Sequence, residues 1–192
     1  VNVGAFRYHV GRLMVATIPE EYLAKADCVV PVPNSGLYYA MGLASAAQKP
    51  YVQALVKILP EMRSFNIEAN EKREELLGTK IVAIPELVVG KDILLVDEAI
   101  FTGTTLRVVC DILKACGTKS IHICIPTPVC YSRCQQYMQP DRAVLTEQTT
   151  PEHLAEYFRV NSVNFQSYER FSQEIDKIQA FMCKDCFNTS TV

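Results

Sequence analysis

A chain of 192 residues with 49% hydrophobic and 21% charged side chains can bury a full core and reads as an ordinary soluble globule. A formal net charge of −2 gives no electrostatic reason to expect nucleic acid or a membrane surface as partner. No apolar run approaches the ~20 residues that cross a bilayer, and no signal peptide is visible, so a cytoplasmic location is expected.

Val3 to Ala16 has helical spacing, with Phe6, Val10, Leu13 and Met14 on one side. Cys28 to Val32 is a short β-branched run, and Asn34-Ser35-Gly36 then turns the chain into a helix from Leu37 to about Gln48. The Ala and Gly content of that helix suits close packing on a sheet. Tyr51 to Val56 is a strand candidate. Residues 58–80 change character, with Pro60, Arg63, Asn66, Asn70 and a charged string from Glu71 to Glu75, and read as a flexible arm. Lys80 to Val89 looks like strand and turn, Ile93 to Val96 is a buried central strand, and Leu106 to Cys116 is a helix with Gly117 as its C-terminal cap. Ser120 to Ile125 is a strand broken by Pro126-Thr127-Pro128. Pro151 to Phe158 and Tyr168 to Phe181 are helical, joined by a short segment around Val160 to Phe165. The alternation predicts an α/β fold, a doubly wound parallel sheet, with a helical C-terminal tail over about 151–192 and the whole of 1–192 in one domain.

Residues 93–105 carry the most chemistry. The central strand ends on two adjacent carboxylates, Asp97 and Glu98, and after Ala99-Ile100-Phe101 comes Thr102-Gly103-Thr104-Thr105, a hydroxyl-rich turn opening a helix. Ligands of open α/β sheets bind beyond the carboxyl ends of the strands. The unpaired amides of a helix N-terminus favour phosphate. Carboxylates that accept from vicinal hydroxyls, beside a phosphate cradle, suit a sugar phosphate. This arrangement resembles the motif with which type I phosphoribosyltransferases bind 5-phosphoribosyl 1-diphosphate (PRPP).

Asn34-Ser35-Gly36 repeats the strand-to-helix geometry and reads as a second anion cradle suited to a diphosphate, with Lys57 after the next strand able to reach the same charge. Of the eight cysteines, Cys28, Cys110, Cys116 and Cys124 read as core, whereas Cys183-Lys184-Asp185-Cys186 has the spacing of a metal-binding pair.

The order and spacing of Val32-Pro33-Asn34-Ser35-Gly36, Leu55-Val56-Lys57, Arg63-Ser64-Phe65, Arg73, Lys80, Leu95-Val96-Asp97 and Thr104-Thr105-Leu106-Arg107 narrow the resemblance. Together with Ala115-Cys116-Gly117 and the Cys183-x-x-Cys186-Phe187 ending, they are similar to glutamine PRPP amidotransferase, onto its phosphoribosyltransferase half only. That resemblance implies displacement of diphosphate from PRPP by ammonia to give phosphoribosylamine. It implies Asp97 and Glu98 on the ribose hydroxyls and on Mg²⁺, directly or through water. It puts Phe101, Thr102, Gly103, Thr104 and Thr105 on the 5-phosphate, and Asn34, Ser35 and Gly36 on the diphosphate. Lys57, Arg63 and Arg73 take the catalytic roles, with Lys80 supporting the arm. Cys134, Cys183 and Cys186 match three of four ligands of an iron–sulfur cluster carried by some members, and the same thiolates suit zinc. The partners expected are a second copy of the chain and a separate glutaminase subunit.

The chain also departs from that pattern. Glu98 stands for a usual Asp, Thr102 for Arg and Asn34 for Asp, while Ile58, Leu59, Pro60 and Met62 replace Asn, Arg, Tyr and Gly. These departures bear on turnover more than on PRPP binding. The alternative function is therefore a non-enzymatic PRPP- or nucleotide-binding regulatory module or subunit.

Overall fold

A computed structural model of the chain describes residues 2–58, 81–134, 143–178 and 183–187. Its elements run α1 (Val3–Leu13), α2 (Glu20–Lys25), β1 (Cys28–Pro31), α3 (Leu37–Ala47), β2 (Leu55–Lys57), β3 (Ile81–Ala83), β4 (Asp92–Val96), α4 (Thr104–Ala115), β5 (Ser120–Ile125), α5 (Leu154–Phe158), β6 (Ser162–Phe165) and α6 (Tyr168–Lys177). Local chemistry sets several boundaries. The Asn2 side chain accepts from the Ala5 amide at 3.0 Å and caps α1, and Ser167 does the same for α6 through Arg170 N at 3.3 Å. At the end of α4, Gly117 takes φ 77°, and its N–H donates to Lys114 O while Thr118 N–H donates to Leu113 O.

The main sheet has four strands in the order β1-β4-β5-β6, all parallel. Tyr51 adds a parallel bridge to Val29 on the free side of β1. From β1 the chain thus goes out one way through α3 and returns to β4 on the other side. The order reverses between β1 and β4, which is the switch point where ligands of such sheets bind. A two-stranded antiparallel sheet, β2-β3, stands apart.

Strand side chains alternate between the two faces. Val30, Ile93, Leu95, Ile121, Ile123 and Ile125 pack with Leu106, Val109 and Leu113 of α4 and with Phe158 of α5. Val29, Leu94, Val96 and Cys124 pack on the opposite face with Val10 of α1, Leu43 of α3, and Phe171 and Ile175 of α6. A buried His122 on that face stacks on Tyr22 of α2 at 4.2 Å between ring centroids.

Where α1 crosses α3, a Cβ on Gly11 would lie 2.1 Å from Tyr39 O, and one on Gly42 2.0 Å from Tyr8 O. The two backbones can touch only because both positions lack a side chain.

The structure differs from the sequence expectations at several elements. The expected strand Tyr51–Val56 divides, because Tyr51 pairs with β1 while β2 starts at Leu55 and turns to β3. The segment Val160–Phe165, read as a connection within a tail, contains β6, the edge strand of the parallel sheet. Helix α2 went unread, and α4 begins at Thr104 rather than Leu106. The expected arm, 58–80, lies outside the described residues except for Ile58, as do residues 179–181 of the last helix.

Candidate active site

A cleft of about 230 Å³ opens at the carboxyl end of β4 and is lined by Ser35 and by the run from Asp97 to Leu106. Two strand-to-helix turns build it. The β4 turn ends on Gly103, which sits at φ 72° before the first residue of α4, a left-handed conformation that costs glycine little. Its α-carbon is also tight against the core, since a Cβ there would meet Leu145 Cδ2 at 2.8 Å and Phe158 Cζ at 3.1 Å. The first-turn amides of α4 have no intrahelical partner, and Thr104, Thr105 and Leu106 of that turn line the cleft. The Thr104 hydroxyl donates to Thr102 Oγ1 at 3.3 Å, keeping two hydroxyls together at that turn. Elsewhere the loop is fixed from a distance. Thr127 Oγ1 donates to Glu98 O at 3.0 Å, and Leu145 N–H donates to Phe101 O at 2.6 Å.

The β1 turn approaches from the neighbouring strand. The peptide between Pro33 and Asn34 is cis. Gly36 N–H donates to Val32 O at 2.9 Å, and a Cβ on Gly36 would lie 2.3 Å from Val96 O, so the turn lies directly against the end of β4. That contact brings Ser35 Oγ within 2.7 Å of Asp97 Oδ1, to which it donates.

Asp97 is buried, and its Oδ1 also accepts from Glu98 N–H at 2.8 Å. Burial pushes its carboxyl up to about 6, opposed by those two hydrogen bonds and assisted by the neighbouring charge of Glu98. Glu98 is more open, with its side chain 39% exposed, and its Oε1 accepts from Arg7 Nη2 of α1 at 2.6 Å. The two carboxylates therefore differ. One is a buried group that ionises near neutrality, and the other is a half-open group tied to a guanidinium.

The expected substrate residues Ser35, Asp97, Glu98, Phe101, Thr102, Gly103, Thr104 and Thr105 all line this cleft. Asn34 and Gly36 belong to its second turn without lining it, Asn34 being exposed and Gly36 buried beneath. Lys57 ends β2 in an exposed position and does not line the cleft either, because β2 leaves the parallel sheet to pair with β3. Arg63, Arg73 and Lys80 lie outside the described residues. Arg7 and Thr127 went unread, and no sequence pattern links them to a loop so far along the chain.

Asp97 and Glu98 are hard oxygen donors of the kind Mg²⁺ takes when it also binds substrate oxygens and water. The cysteines are arranged otherwise. Among the described residues, no group of three or more His, Cys, Asp or Glu is placed to hold a metal ion, and Cys183 is exposed. Cys134, Cys183 and Cys186 therefore do not form a ligand set here. Cys186 pairs instead with buried Cys130, which the sequence reading left out. A hydrogen bond from Cys130 draws the Cys186 thiol down to about 7 and raises Cys130 itself. The backbone seals the contact, since Tyr131 N–H donates to Cys186 O at 2.8 Å.

A parallel sheet with a carboxylate pair and a hydroxyl-rich helix N-terminus at its switch point defines a type I phosphoribosyltransferase fold. The chain belongs to the phosphoribosyl transferase domain family, which matches residues 3–157. Within it, the chain is similar to amidophosphoribosyltransferases. It is 30% identical to that of Methanothermobacter thermautotrophicus over 97% of this chain and 39% of the relative. It is 32% identical to that of Staphylococcus aureus over 91% of this chain and 35% of the relative. The chain thus spans well under half the length of these relatives. Its fold superposes with a TM-score of 0.80 on the allosteric regulatory enzyme of purine biosynthesis, at 25% identity over 98% of this chain and 41% of that one. With glutamine PRPP amidotransferase from B. subtilis, solved with ADP and GMP, the TM-score is 0.76 at 25% identity over 98% of this chain and 40% of that one. No helix among the described residues is long and apolar enough to cross a membrane.

Proposed function

We propose that this chain, read as one domain over 1–192, binds PRPP with Mg²⁺ and replaces its diphosphate with ammonia to form phosphoribosylamine, as a cytoplasmic transferase of purine nucleotide synthesis. The observation that carries the reading is the convergence of Asp97, Glu98 and the 102–105 turn on one cleft beside Ser35. In this reading the carboxylates accept from the ribose 2- and 3-hydroxyls. The amides and hydroxyls from Phe101 to Thr105 hold the 5-phosphate, helped by the positive end of the α4 dipole. Ser35 and its turn meet the diphosphate, together with Asn34 and Gly36. Bound Mg²⁺ would offset charge on the diphosphate as it leaves, with Asp97 and Glu98 as its protein oxygens. The ammonia lone pair forms the new bond to C1 of the ribose, the C1–O bond breaks, diphosphate leaves with that electron pair, and the nitrogen loses a proton. Orientation and charge stabilisation are then the protein's contribution, and no protein nucleophile is needed. Lys57, Arg63 and Arg73 are proposed as the cations that act on the diphosphate, a second copy of the chain as its oligomeric partner, and a glutaminase as its source of ammonia.

A second reading, PRPP binding without turnover, is favoured by one observation. Ile58 and Glu98 stand where the resembled enzymes carry Asn and Asp. The same experiment separates the two. PRPP consumption is measured with ammonia, with glutamine and with a panel of purine and pyrimidine bases, beside calorimetric titration of PRPP and Mg²⁺. Binding with ammonia-dependent release of diphosphate is expected. Binding without release establishes the regulatory reading, and absence of binding overturns both.

A further inference from the structure

The ion pair between Arg7 and Glu98 joins residues 91 positions apart and ties the first helix to the β4 turn. Arg7 is itself held. Its guanidinium carbon lies 5.7 Å from the centroid of the Tyr39 ring on α3, a cation–π geometry. Tyr39 is buried, and its backbone carbonyl is the atom a Cβ on Gly11 would strike, so the side chain that supports Arg7 sits at the α1–α3 crossing. The charged and titratable groups around Glu98 are then Arg7 from α1, Tyr39 from α3 and Asp97 from its own turn. Arg7 binds Oε1 of Glu98, a residue that also lines the cleft. Glutamate is one methylene longer than aspartate and has one more torsion to fix before it can accept a ribose hydroxyl, a cost in side-chain entropy that a fixed partner removes in advance.

We infer that Arg7 is a positioning residue of the ribose site, acting through Glu98: it holds that carboxylate in place at the cleft beside Asp97, and thereby fits a longer acid to the sugar hydroxyls. The inference rests on the PRPP reading of the site and deepens it, since it assigns the α1–α3 crossing a part in substrate affinity. Arg7 touches no substrate in this scheme. Its effect passes entirely through Glu98.

The test is a double-variant cycle read by calorimetric titration of PRPP with Mg²⁺ into the full chain, using Arg7→Gln, Arg7→Lys, Glu98→Gln and the pair Arg7→Gln with Glu98→Gln. Arg7→Gln is expected to weaken binding about fivefold, the reach of a partly exposed ion pair. Arg7→Lys, which keeps the charge but loses the planar fork, is expected to recover part of that loss. In the Glu98→Gln background, loss of Arg7 is expected to cost no more than about twofold, which is within the scatter seen between uncoupled sites. Unchanged or tighter binding by Arg7→Gln overturns the inference, and so does a loss that is equally large in the Glu98→Gln background. Should Arg7→Gln lose its fold, the cycle run with Arg7→Lys reads the same coupling. Wild-type protein that binds no PRPP overturns the reading of the site and this inference together, whereas an additive cycle in protein that binds PRPP overturns this inference alone.

Discussion

Asp97 concentrates the chemistry of the cleft in one side chain. Its carboxyl is taken out of water, which raises it to about 6, while Ser35 Oγ and the Glu98 amide stabilise the ionised form from 2.7 and 2.8 Å. The sign of the pH effect follows. The folded state binds this proton more tightly than an unfolded aspartate, whose value is about 3.9, so Asp97 lowers fold stability as pH rises from about 4 to about 6. Ligand binding runs the other way, because ribose hydroxyls and Mg²⁺ require the ionised acid. PRPP affinity is expected to rise through about pH 6, falling roughly tenfold from its plateau by one unit below that value. PRPP has a phosphate that titrates in the same range, near 6, so the informative quantity is the ratio of wild-type to Asp97→Asn affinity across pH. That ratio should change across the window. Asp97→Asn should weaken binding at least about tenfold at pH 8, given the ~2–5 kcal/mol cost of removing one partner of a buried charged hydrogen bond, and Glu98→Ala, at a half-open carboxylate, should weaken it less. Equal affinity in both variants would remove these carboxylates from the ribose site.

Among the elements, the α1–α3 pair is the one whose packing has least room. Alanine usually stabilises a helix by ~1 kcal/mol over glycine. At Gly11 that gain meets a backbone carbonyl 2.1 Å from the new Cβ, which cannot rotate away as a side chain would. Overpacking of this kind costs about 1–3 kcal/mol and sometimes more, so the net effect of Gly11→Ala should be destabilising. Urea unfolding should give a lower midpoint with an unchanged slope. A midpoint at or above that of the wild type would mean that the helices separate without penalty. Both helices were readable in advance, from the apolar spacing of Phe6, Val10 and Met14 and from the small residues of α3, which point to close packing on a sheet. That Gly11 faces Tyr39 and Gly42 faces Tyr8 was not, since each helix's contact partner depends on the crossing angle of both.

At the scale of the molecule, α6 closes the second face of the sheet and is fastened to α1 by a hydrogen bond between His9 and Glu174 as well as by Phe171 and Ile175. The Glu174 carboxylate, 8% exposed, lies 2.8 Å from His9 Nε2 and accepts from Lys177 Nζ at 2.6 Å. Burial works to raise its pKa, yet Lys177 and His9 together bring it below the ordinary glutamate value. A depressed folded-state acid contributes stability above the unfolded value of about 4.3 and loses it as pH falls through the folded value. Glu174→Ala should therefore cost about 1.5–3 kcal/mol at neutral pH, the range for hydrogen bonds to charged groups. Its stability should also depend less on pH below about 4.5 than that of the wild type. Thermal unfolding across pH reads both effects, and parallel wild-type and variant profiles would show that the carboxylate is not what fastens the helix.

The amino-acid sequence by itself determined the parallel α/β class, most elements and the central motif, because these depend on neighbours along the chain. A run such as Ile93 to Val96 followed by two acids and Thr102-Gly103-Thr104-Thr105 states a buried strand, its end and a helix start within thirteen consecutive residues, 93–105. The edge strand β6 escaped notice because its residues are all only half-buried, so neither alternation nor a continuous apolar run marks it. Lys57 was placed by its sequence position after a strand, and that strand, β2, pairs with β3 outside the parallel sheet, which its local sequence does not announce. Tertiary structure alone decided the contacts that tune the site: Arg7 on Glu98, Ser35 on Asp97, Thr127 on the Glu98 carbonyl and Cys130 beside Cys186. Each joins groups whose meeting depends on which face of the sheet a helix covers and how far a turn advances. The physical reason is that backbone conformation answers to local sterics and hydrogen bonding, whereas the ionisation and aim of a side chain answer to whatever the completed packing brings within a few ångströms of it.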